Sequence, residues 1–204
     1  MSLLFVRHGE TALNAARVMQ PADTPLSPRG QAQAQAVAQR LAAMQPVALL
    51  SSDLPRALQT AQAIGAATGL PVQTTPLLHE RNFGAFRGRP HASFDFDPIH
   101  MTDAPPGGES MSDFLDRVAR AFTAAVGLRA TLAGPLVVVS HGLVIRALLG
   151  PQVAVAPGAA LPARIGNTSI TEVEAAPPHR AVRIDCMQHL QGATAEDGQS
   201  LSGG

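Results

Sequence analysis

The chain has 204 residues, 46% of them hydrophobic and 15% charged, and its 15 basic and 15 acidic side chains give a formal net charge of zero. This composition is typical of a globular protein with a sizeable core, and the balanced charge argues against a general binder of nucleic acid or anionic membranes. All the basic residues are arginines, which excludes chemistry that needs a lysine, such as a P-loop or a Schiff base. The single cysteine, Cys186, excludes an internal disulfide and a multi-cysteine zinc site.

The first predicted element is a buried strand over residues 3–6, an apolar run that ends abruptly in Arg-His-Gly at residues 7–9. A short helix is expected from near Thr11. The Ser-Pro pair at residues 27–28 predicts the N-cap and first turn of a longer helix, which ends before Pro46.

A second apolar run, residues 47–50, predicts another buried strand. Pro55 then begins a helix that Gly69 is expected to terminate, and residues 72–74 form a short strand. The predicted buried face of this helix consists of Leu54, Leu58 and Ala61.

Residues 81–110 are irregular and hold four of the seven phenylalanines, which is typical of a lid or substrate loop. Ser112 is expected to cap the helix that follows. The predicted buried face of that helix consists of Leu115, Val118, Phe122 and Ala125.

The last third of the chain supplies three more strands. Residues 136–140 form a buried strand that runs into His141-Gly142, and a helix is expected over residues 143–149. Two alternating segments, residues 169–173 and 181–187, predict the final strands.

This alternation of strands and helices predicts an α/β fold with a mostly parallel central sheet. One domain is expected over residues 1–191, followed by a flexible tail of small polar residues at 192–204. The carboxyl ends of parallel strands meet at one edge of a sheet, where α/β proteins bind ligands. We therefore expect an anion site at that edge, formed by Arg7, His8, Arg56 and His141.

Six motifs, in chain order, resemble those of the histidine phosphatase superfamily, the phosphoglycerate-mutase-like proteins, and they span almost all of residues 3–190. They are Arg7-His8-Gly9-Glu10-Thr11 with Asn14; Asp23-x-Pro25-Leu26-Ser27-x-x-Gly30; Ser51-Ser52-Asp53-Leu54-x-Arg56-Ala57-x-x-Thr60-Ala61; Leu78-x-Glu80-x-x-Phe83-Gly84; Gly107-Gly108-Glu109-Ser110; and Val139-Ser140-His141-Gly142. A lone Arg-His-Gly is a weak signal, whereas six ordered motifs are a strong one. The resemblance implies a three-layer sandwich with helices on both faces of the sheet.

The resemblance also implies a role for each matching residue. His8 would attack phosphorus and become phosphohistidine, and Glu80 would protonate the leaving oxygen and later deprotonate water. The phosphoryl oxygens would be bound by Arg7, Asn14, Arg56 and His141, the last as an imidazolium. Positioning and electrostatic stabilisation of this kind dominate phosphoryl transfer, so no metal and no other cofactor is implied. Gly9 is interpreted as allowing close approach of the phosphate, and Glu10 as structural.

The chain departs from the family's pattern where substrate selection is expected. Phe86-Arg87-Gly88 stands where Trp-Glu-Gly is common. Arg81, Arg87 and Arg89 are therefore candidates for binding a second anionic group of the substrate, with three solvated loop arginines as the alternative. The absence of lysine, and of an adjacent arginine pair in this segment, favours a phosphatase over a mutase.

The leading hypothesis is metal-independent hydrolysis of a phosphomonoester. A cofactor-dependent phosphoglycerate mutase, a non-catalytic phospholigand-binding protein and a metal hydrolase are the alternatives. We expect a small phosphorylated molecule as the partner, with no nucleic acid and no membrane, and a homodimer stays open beside a monomer. Because no apolar run reaches ~18 residues and no signal-peptide pattern is visible, the expected location is the cytoplasm.

Overall fold

A six-stranded sheet lies at the centre of the computed structural model, which describes residues 2–190. The strands are β1 (Ser2–Arg7), β2 (Ala48–Ser51), β3 (Val72–Thr74), β4 (Leu136–Ser140), β5 (Ile170–Glu174) and β6 (Ala181–Cys186). Their spatial order is β3-β2-β4-β1-β5-β6. The pairs β3–β2, β2–β4 and β4–β1 are parallel, while β5 is antiparallel to both β1 and β6. The prediction of a mostly parallel sheet is thus confirmed.

Five α-helices lie within the same described residues. They are α1 (Ala12–Ala15), α2 (Pro28–Ala43), α3 (Pro55–Thr68), α4 (Met111–Ala130) and α5 (Gly142–Leu148). The predicted ends of two of them are confirmed. Ser27 Oγ accepts a hydrogen bond from the N–H of Gly30 at 3.0 Å and caps α2. Gly69 ends α3 in the left-handed region, with a φ of 73°.

The helices cover both faces of the sheet and make three layers, as predicted. Successive side chains of β1 alternate between the two faces, which is why residues 3–6 of this strand are all apolar. Leu3 and Phe5 contribute to the core on the face covered by α4 and α5, whereas Leu4 and Val6 contribute to the core on the face covered by α2 and α3.

The predicted start of α4 is wrong, whereas its predicted buried face is confirmed at Val118, Phe122 and Ala125. Ser110, not Ser112, is its N-cap, because the Ser110 Oγ accepts the N–H of Asp113 at 3.1 Å. Leu115, also predicted to be buried, is 42% exposed, and Phe114 lies in the core. Phe114, Val118 and Phe122 follow one another at four-residue spacing on the buried face.

The predicted buried face of α3 is confirmed at Leu54 and Ala61 and wrong at Leu58. Leu58 is only half-buried, while Arg56 and Thr60 are buried on the face that also carries Ala61. A polar side chain on the inner face of a helix is unexpected from the apolar pattern, and it directs Arg56 towards the strand ends.

None of the helices within residues 2–190 is long and apolar enough to cross a membrane. The predicted tail at residues 192–204 lies outside the described residues.

Candidate active site

The parallel pairing of β1 with β4 brings the two predicted histidines together. Arg7 pairs with Ser140 in the register of these strands, so His8 and His141 leave the sheet side by side. Their ring centroids lie 5.1 Å apart with an angle of 57° between the ring planes. Both side chains are buried, and two imidazoles from opposite ends of the sequence therefore share one site.

Both backbone groups of His8 are hydrogen-bonded, and one contact of its ring fixes the tautomer. Its N–H donates to the carbonyl of Ser140 at 2.9 Å, and its carbonyl accepts from Asn167 Nδ2 at 3.0 Å. Its ring Nδ1 lies 2.7 Å from the carbonyl oxygen of Gly9. Because a carbonyl can only accept, Nδ1 carries the proton and Nε2 keeps its lone pair.

The surroundings of His8 also keep its ring neutral. Burial lowers the pKa of His8 well below its usual value, and the positive charges of Arg56 and Arg7 lower it further. The hydrogen bond to Gly9 opposes this shift without reversing it. A neutral imidazole with a free Nε2 is the form that can act as a nucleophile.

Two buried guanidinium groups supply the positive charge of the site. Arg7 is 1% exposed and Arg56 is 2% exposed. Arg56 lies in the first turn of α3, and its Nη1 donates to the carbonyl of Pro21 at 3.3 Å. Burial lowers the pKa of Arg56 to about 10, and the charges of Arg87 and Arg7 add to the shift. The two buried guanidinium groups repel each other, so the binding of an anion at this site is favoured.

His141 is positioned by a hydroxyl at the end of β2. Its Nε2 lies 2.9 Å from Ser52 Oγ, while its buried Nδ1 makes no hydrogen bond within residues 2–190. Burial and the charge of Arg56 lower the pKa of His141 well below its usual value. The lowered pKa favours a neutral ring in the free protein, and a bound phosphate dianion would raise this pKa towards the imidazolium expected for the complex.

Glu80 is a buried carboxyl group beside the amino terminus of α5. Its Oε1 accepts the N–H of Arg81 at 3.0 Å, and its Oε2 accepts the N–H of Leu143 at 3.2 Å. Burial raises the pKa of Glu80, although these two hydrogen bonds and the charge of Arg56 oppose the shift. A carboxyl group with a raised pKa can hold a proton and release it during a reaction.

Two further predicted residues follow His8 in the chain. Asn14 is buried in α1, where Thr11 Oγ1 accepts its backbone N–H at 3.0 Å. Gly9 permits close packing on the first turn of α2, because a Cβ at this position would lie 2.5 Å from the carbonyl oxygen of Gly30. The predicted close approach of a phosphate to Gly9 stays a prediction. Glu10 is structural as expected, since it accepts from Ser27 Oγ at 2.9 Å.

The three loop arginines differ in their surroundings. Arg81 donates to the carbonyls of Glu109, Ile99 and Asp103 at 3.0–3.3 Å, so it holds the loop together rather than facing a substrate. The guanidinium of Arg89 lies over the ring of Phe94, 4.2 Å from its centroid. The charge of Arg87 acts on Arg56, and the charge of Arg81 interacts with that of Glu80.

Sequence reasoning assigned no role to four residues that support this site. Thr60 Oγ1 accepts the N–H of Gly9 at 3.0 Å. Ser52 and Asn167 contact His141 and His8 as described above, and Arg117 donates to the carbonyl of His79 at 2.7 Å. Ser52 and Thr60 belong to a recognised motif, whereas Asn167 and Arg117 carry no local signal because only the fold brings them close.

A buried imidazole and two arginines lie together where parallel strands end, which is where α/β proteins bind ligands, and positive groups of this kind stabilise a phosphoryl group in transfer. The chain belongs to the histidine phosphatase superfamily, and the sequence model of its branch 1 matches residues 3–184.

Relatives with assigned names include both mutases and phosphatases. The chain is 36% identical, over 85% of each sequence, to a probable phosphoglycerate mutase, GpmB, of Yersinia enterocolitica. It resembles the structure of a mycobacterial glucosyl-3-phosphoglycerate phosphatase in complex with VO3, with a TM-score of 0.75 and 33% identity over 91% of this chain and 97% of that one. The structure of YhfR from Bacillus stearothermophilus gives a TM-score of 0.79 at 26% identity, over 93% and 99% of the two chains.

Proposed function

We propose that this protein is a metal-independent phosphatase that hydrolyses a small phosphomonoester through a phosphohistidine at His8. The observation that carries the proposal is the geometry of two buried groups. His8 Nδ1 is bonded to the carbonyl of Gly9, which leaves Nε2 available, and the two Glu80 oxygens accept the N–H groups of Arg81 and Leu143. Burial lowers the pKa of His8 and raises the pKa of Glu80, which favours a neutral ring and a carboxyl group that can hold a proton. The site thus combines a nucleophile with a general acid.

In the first step, Nε2 of His8 attacks phosphorus, the bond to the ester oxygen breaks, and Glu80 gives its proton to that oxygen. The positive charge on the phosphorylated ring is stabilised because Nδ1–H stays bonded to the carbonyl of Gly9. Arg7 and Arg56 bind the phosphoryl oxygens as charge moves in the transition state. Uncatalysed hydrolysis of monoesters is slow enough that acceleration can reach ~10²¹-fold, which explains why so many charged groups are buried here.

In the second step, a water molecule attacks phosphorus while the carboxylate of Glu80 takes its proton. The phosphorus–nitrogen bond breaks, the electron pair returns to Nε2 of His8, and inorganic phosphate leaves. Both residues end in the protonation states in which they began, so the cycle needs no further reactant.

A phosphatase is favoured over a mutase because the chain has no lysine and no adjacent arginine pair in residues 81–110. The resemblance to a phosphatase over 91% of the chain also supports this choice. The name of the Yersinia relative supports a mutase as the second candidate.

Release of phosphate from p-nitrophenyl phosphate, with and without a chelator, tests the proposal. We expect equal activity in both conditions and a loss of at least about 10³-fold in His8→Ala. His179→Ala is the matched control, since it changes a histidine between β5 and β6. Labelled phosphate should be recovered on the wild-type protein after a basic quench, and release by His8→Ala at the wild-type rate would contradict the mechanism.

The alternatives give different results in the same experiments. A mutase would convert 3-phosphoglycerate to 2-phosphoglycerate, with 2,3-bisphosphoglycerate present, and release no net phosphate. A binding protein would bind orthovanadate but turn over no ester. A metal hydrolase would lose its activity in the chelator and regain it when the metal is restored.

A further inference from the structure

One cavity of the described residues lies against α4 and α5. It is a cleft of about 800 Å³ between the start of α4, α5 and the segment 91–100, a volume in the range of small-molecule sites. Its apolar lining includes Met111, Phe114, Leu143 and Ala147. None of the predicted catalytic or phosphate-binding side chains lines it, so the cleft is distinct from the site described above.

Leu143 connects the cleft with Glu80. Leu143 lines the cleft, and its N–H is bonded to the Glu80 carboxylate at 3.2 Å. Because Glu80 protonates the leaving oxygen in the proposed mechanism, the rest of the leaving group would continue past Leu143 into the cleft. Arg146 is three residues further along α5, about 4.5 Å along the helix axis.

Three arginines line the cleft: Arg17, Arg146 and Arg164. Within residues 2–190 none of their side chains forms a hydrogen bond or an ion pair. The one acidic residue of the lining, Asp97, lies 2.7 Å from the ring of His100. The cleft is therefore apolar on its walls and positively charged, and guanidinium groups suit carboxylate and phosphate oxygens.

We propose that this cleft binds the leaving group of the substrate, and that this group has an apolar body and a second anionic group held by Arg146 and Arg164. The proposal rests on the phosphatase function above. It also moves the predicted second anion site from the loop arginines to α5 and the segment before β5. The substrate is thus an organic phosphate with an additional negative charge, not a simple neutral alcohol ester.

Two aryl esters of nearly equal shape test this inference. The para substituent of 4-carboxyphenyl phosphate is charged, whereas that of 4-carbamoylphenyl phosphate is a neutral amide. We expect the wild-type protein to prefer the charged ester about tenfold in kcat/KM, mainly through KM, as for a hydrogen bond to a charged group. Arg146→Gln and Arg164→Gln should each remove most of this preference. Arg120→Gln, which changes an exposed arginine of α4 outside the cleft, should keep it.

Equal kcat/KM for the two esters in the wild-type protein would overturn the inference. So would a preference that survives in the Arg146→Gln/Arg164→Gln double variant. Calorimetric binding of both esters to His8→Ala protein separates this inference from the proposed function. If the wild-type protein hydrolyses neither ester, the phosphatase proposal fails. In that case, a preference in binding for the charged ester that the two arginine variants abolish still supports an anion-binding cleft. Equal binding of the two esters would overturn the anion-binding cleft as well.

Discussion

The guanidinium of Arg117 and the carboxylate of Glu109 form a bidentate ion pair next to the backbone that precedes Glu80, the residue proposed as the general acid. Nε donates to Oε1 at 2.8 Å and Nη2 donates to Oε2 at 2.7 Å. Nη1 of the same group donates to the carbonyls of Leu77 at 2.9 Å and His79 at 2.7 Å. Since His79 directly precedes Glu80 and Leu77 lies three residues before it, these hydrogen bonds fix the backbone that carries Glu80. Arg117 is thus a positioning residue rather than a catalytic one.

Replacing Arg117 by glutamine should lower kcat towards phenyl phosphate by about 10–100-fold and change KM little, because a misplaced general acid slows the chemical step. Phenyl phosphate needs its leaving oxygen protonated. p-Nitrophenyl phosphate has a good leaving group, so the substitution should lower the rate of its bond-breaking step less. The rate of that step is measured as a pre-steady-state burst. Equal losses of burst rate with both esters would show that Arg117 acts on something other than Glu80.

Loss of stability is a separate effect of the same change. The two side chains are only 14% and 15% exposed, and removing one partner of a buried ion pair costs about 3–5 kcal/mol. The Arg117→Met/Glu109→Met double variant leaves no unpaired charge, so it should unfold at a higher temperature than either single variant. All rates are therefore to be measured well below the unfolding midpoint of each protein.

The basic limb of the pH profile of kcat/KM should report the pKa of Glu80. The proton that Glu80 donates is lost as pH rises through the pKa of this residue, which burial has raised, so kcat/KM for phenyl phosphate should fall with increasing pH. The acidic limb belongs to His8, whose pKa burial lowers, and it should lie below the ordinary range of histidine. Steady-state rates of the free enzyme across pH 4–9 test both limbs.

Glu80→Gln provides the comparison for this profile. The amide can neither donate nor take the proton, so the basic limb should disappear while the acidic limb of His8 stays. The ionisation of the substrate phosphate, near pH ~6, is common to both proteins and cancels in their ratio. A basic limb of the same position in Glu80→Gln would assign it to another group.

Local sequence was sufficient for the elements and for most of the residues that the structure brings together. The apolar runs that end in His8 and His141 predicted the central strands, and the motif around Glu80 supplied the candidate acid. The start of α4 was missed because Ser110 and Ser112 are equivalent caps by residue type, and only the packing of Phe114 distinguishes them. Arg81 was a candidate for binding a second anion, because no local pattern reveals that its acceptors are carbonyls 18–28 residues away.

Binding of an oxyanion should stabilise the protein, because it relieves repulsion between Arg7 and Arg56. Orthovanadate at about 100 times its dissociation constant adds about 2.7 kcal/mol, which for a chain of this size corresponds to about 5–10 °C in the unfolding temperature. Arg56→Gln should lose this shift, and its vanadate-free form should unfold no earlier than the wild type, since burial already lowers the pKa of Arg56 to about 10. Arg120→Gln should keep the shift. An undiminished shift in Arg56→Gln would place the anion elsewhere.

The contact between Gly30 and the segment after His8 should be sensitive to a single methyl group. A Cβ on Gly30 would lie 2.0 Å from the carbonyl oxygen of Glu10, so Gly30→Ala must displace either the start of α2 or the backbone next to the nucleophile. We expect a loss of about 1–3 kcal/mol in the free energy of unfolding, together with a lower kcat because His8 moves with that backbone.

Gly127→Ala is the matched control for this substitution. Gly127 lies inside α4, and no atom lies within 4 Å of a Cβ built there, so alanine should stabilise the helix by about 0.5–1 kcal/mol. Denaturant unfolding and hydrolysis of phenyl phosphate are measured on both variants. The two alanines should therefore shift stability in opposite directions, and only the one in α2 should slow catalysis. A Gly30→Ala protein as stable and active as the wild type would mean that this contact does not position His8.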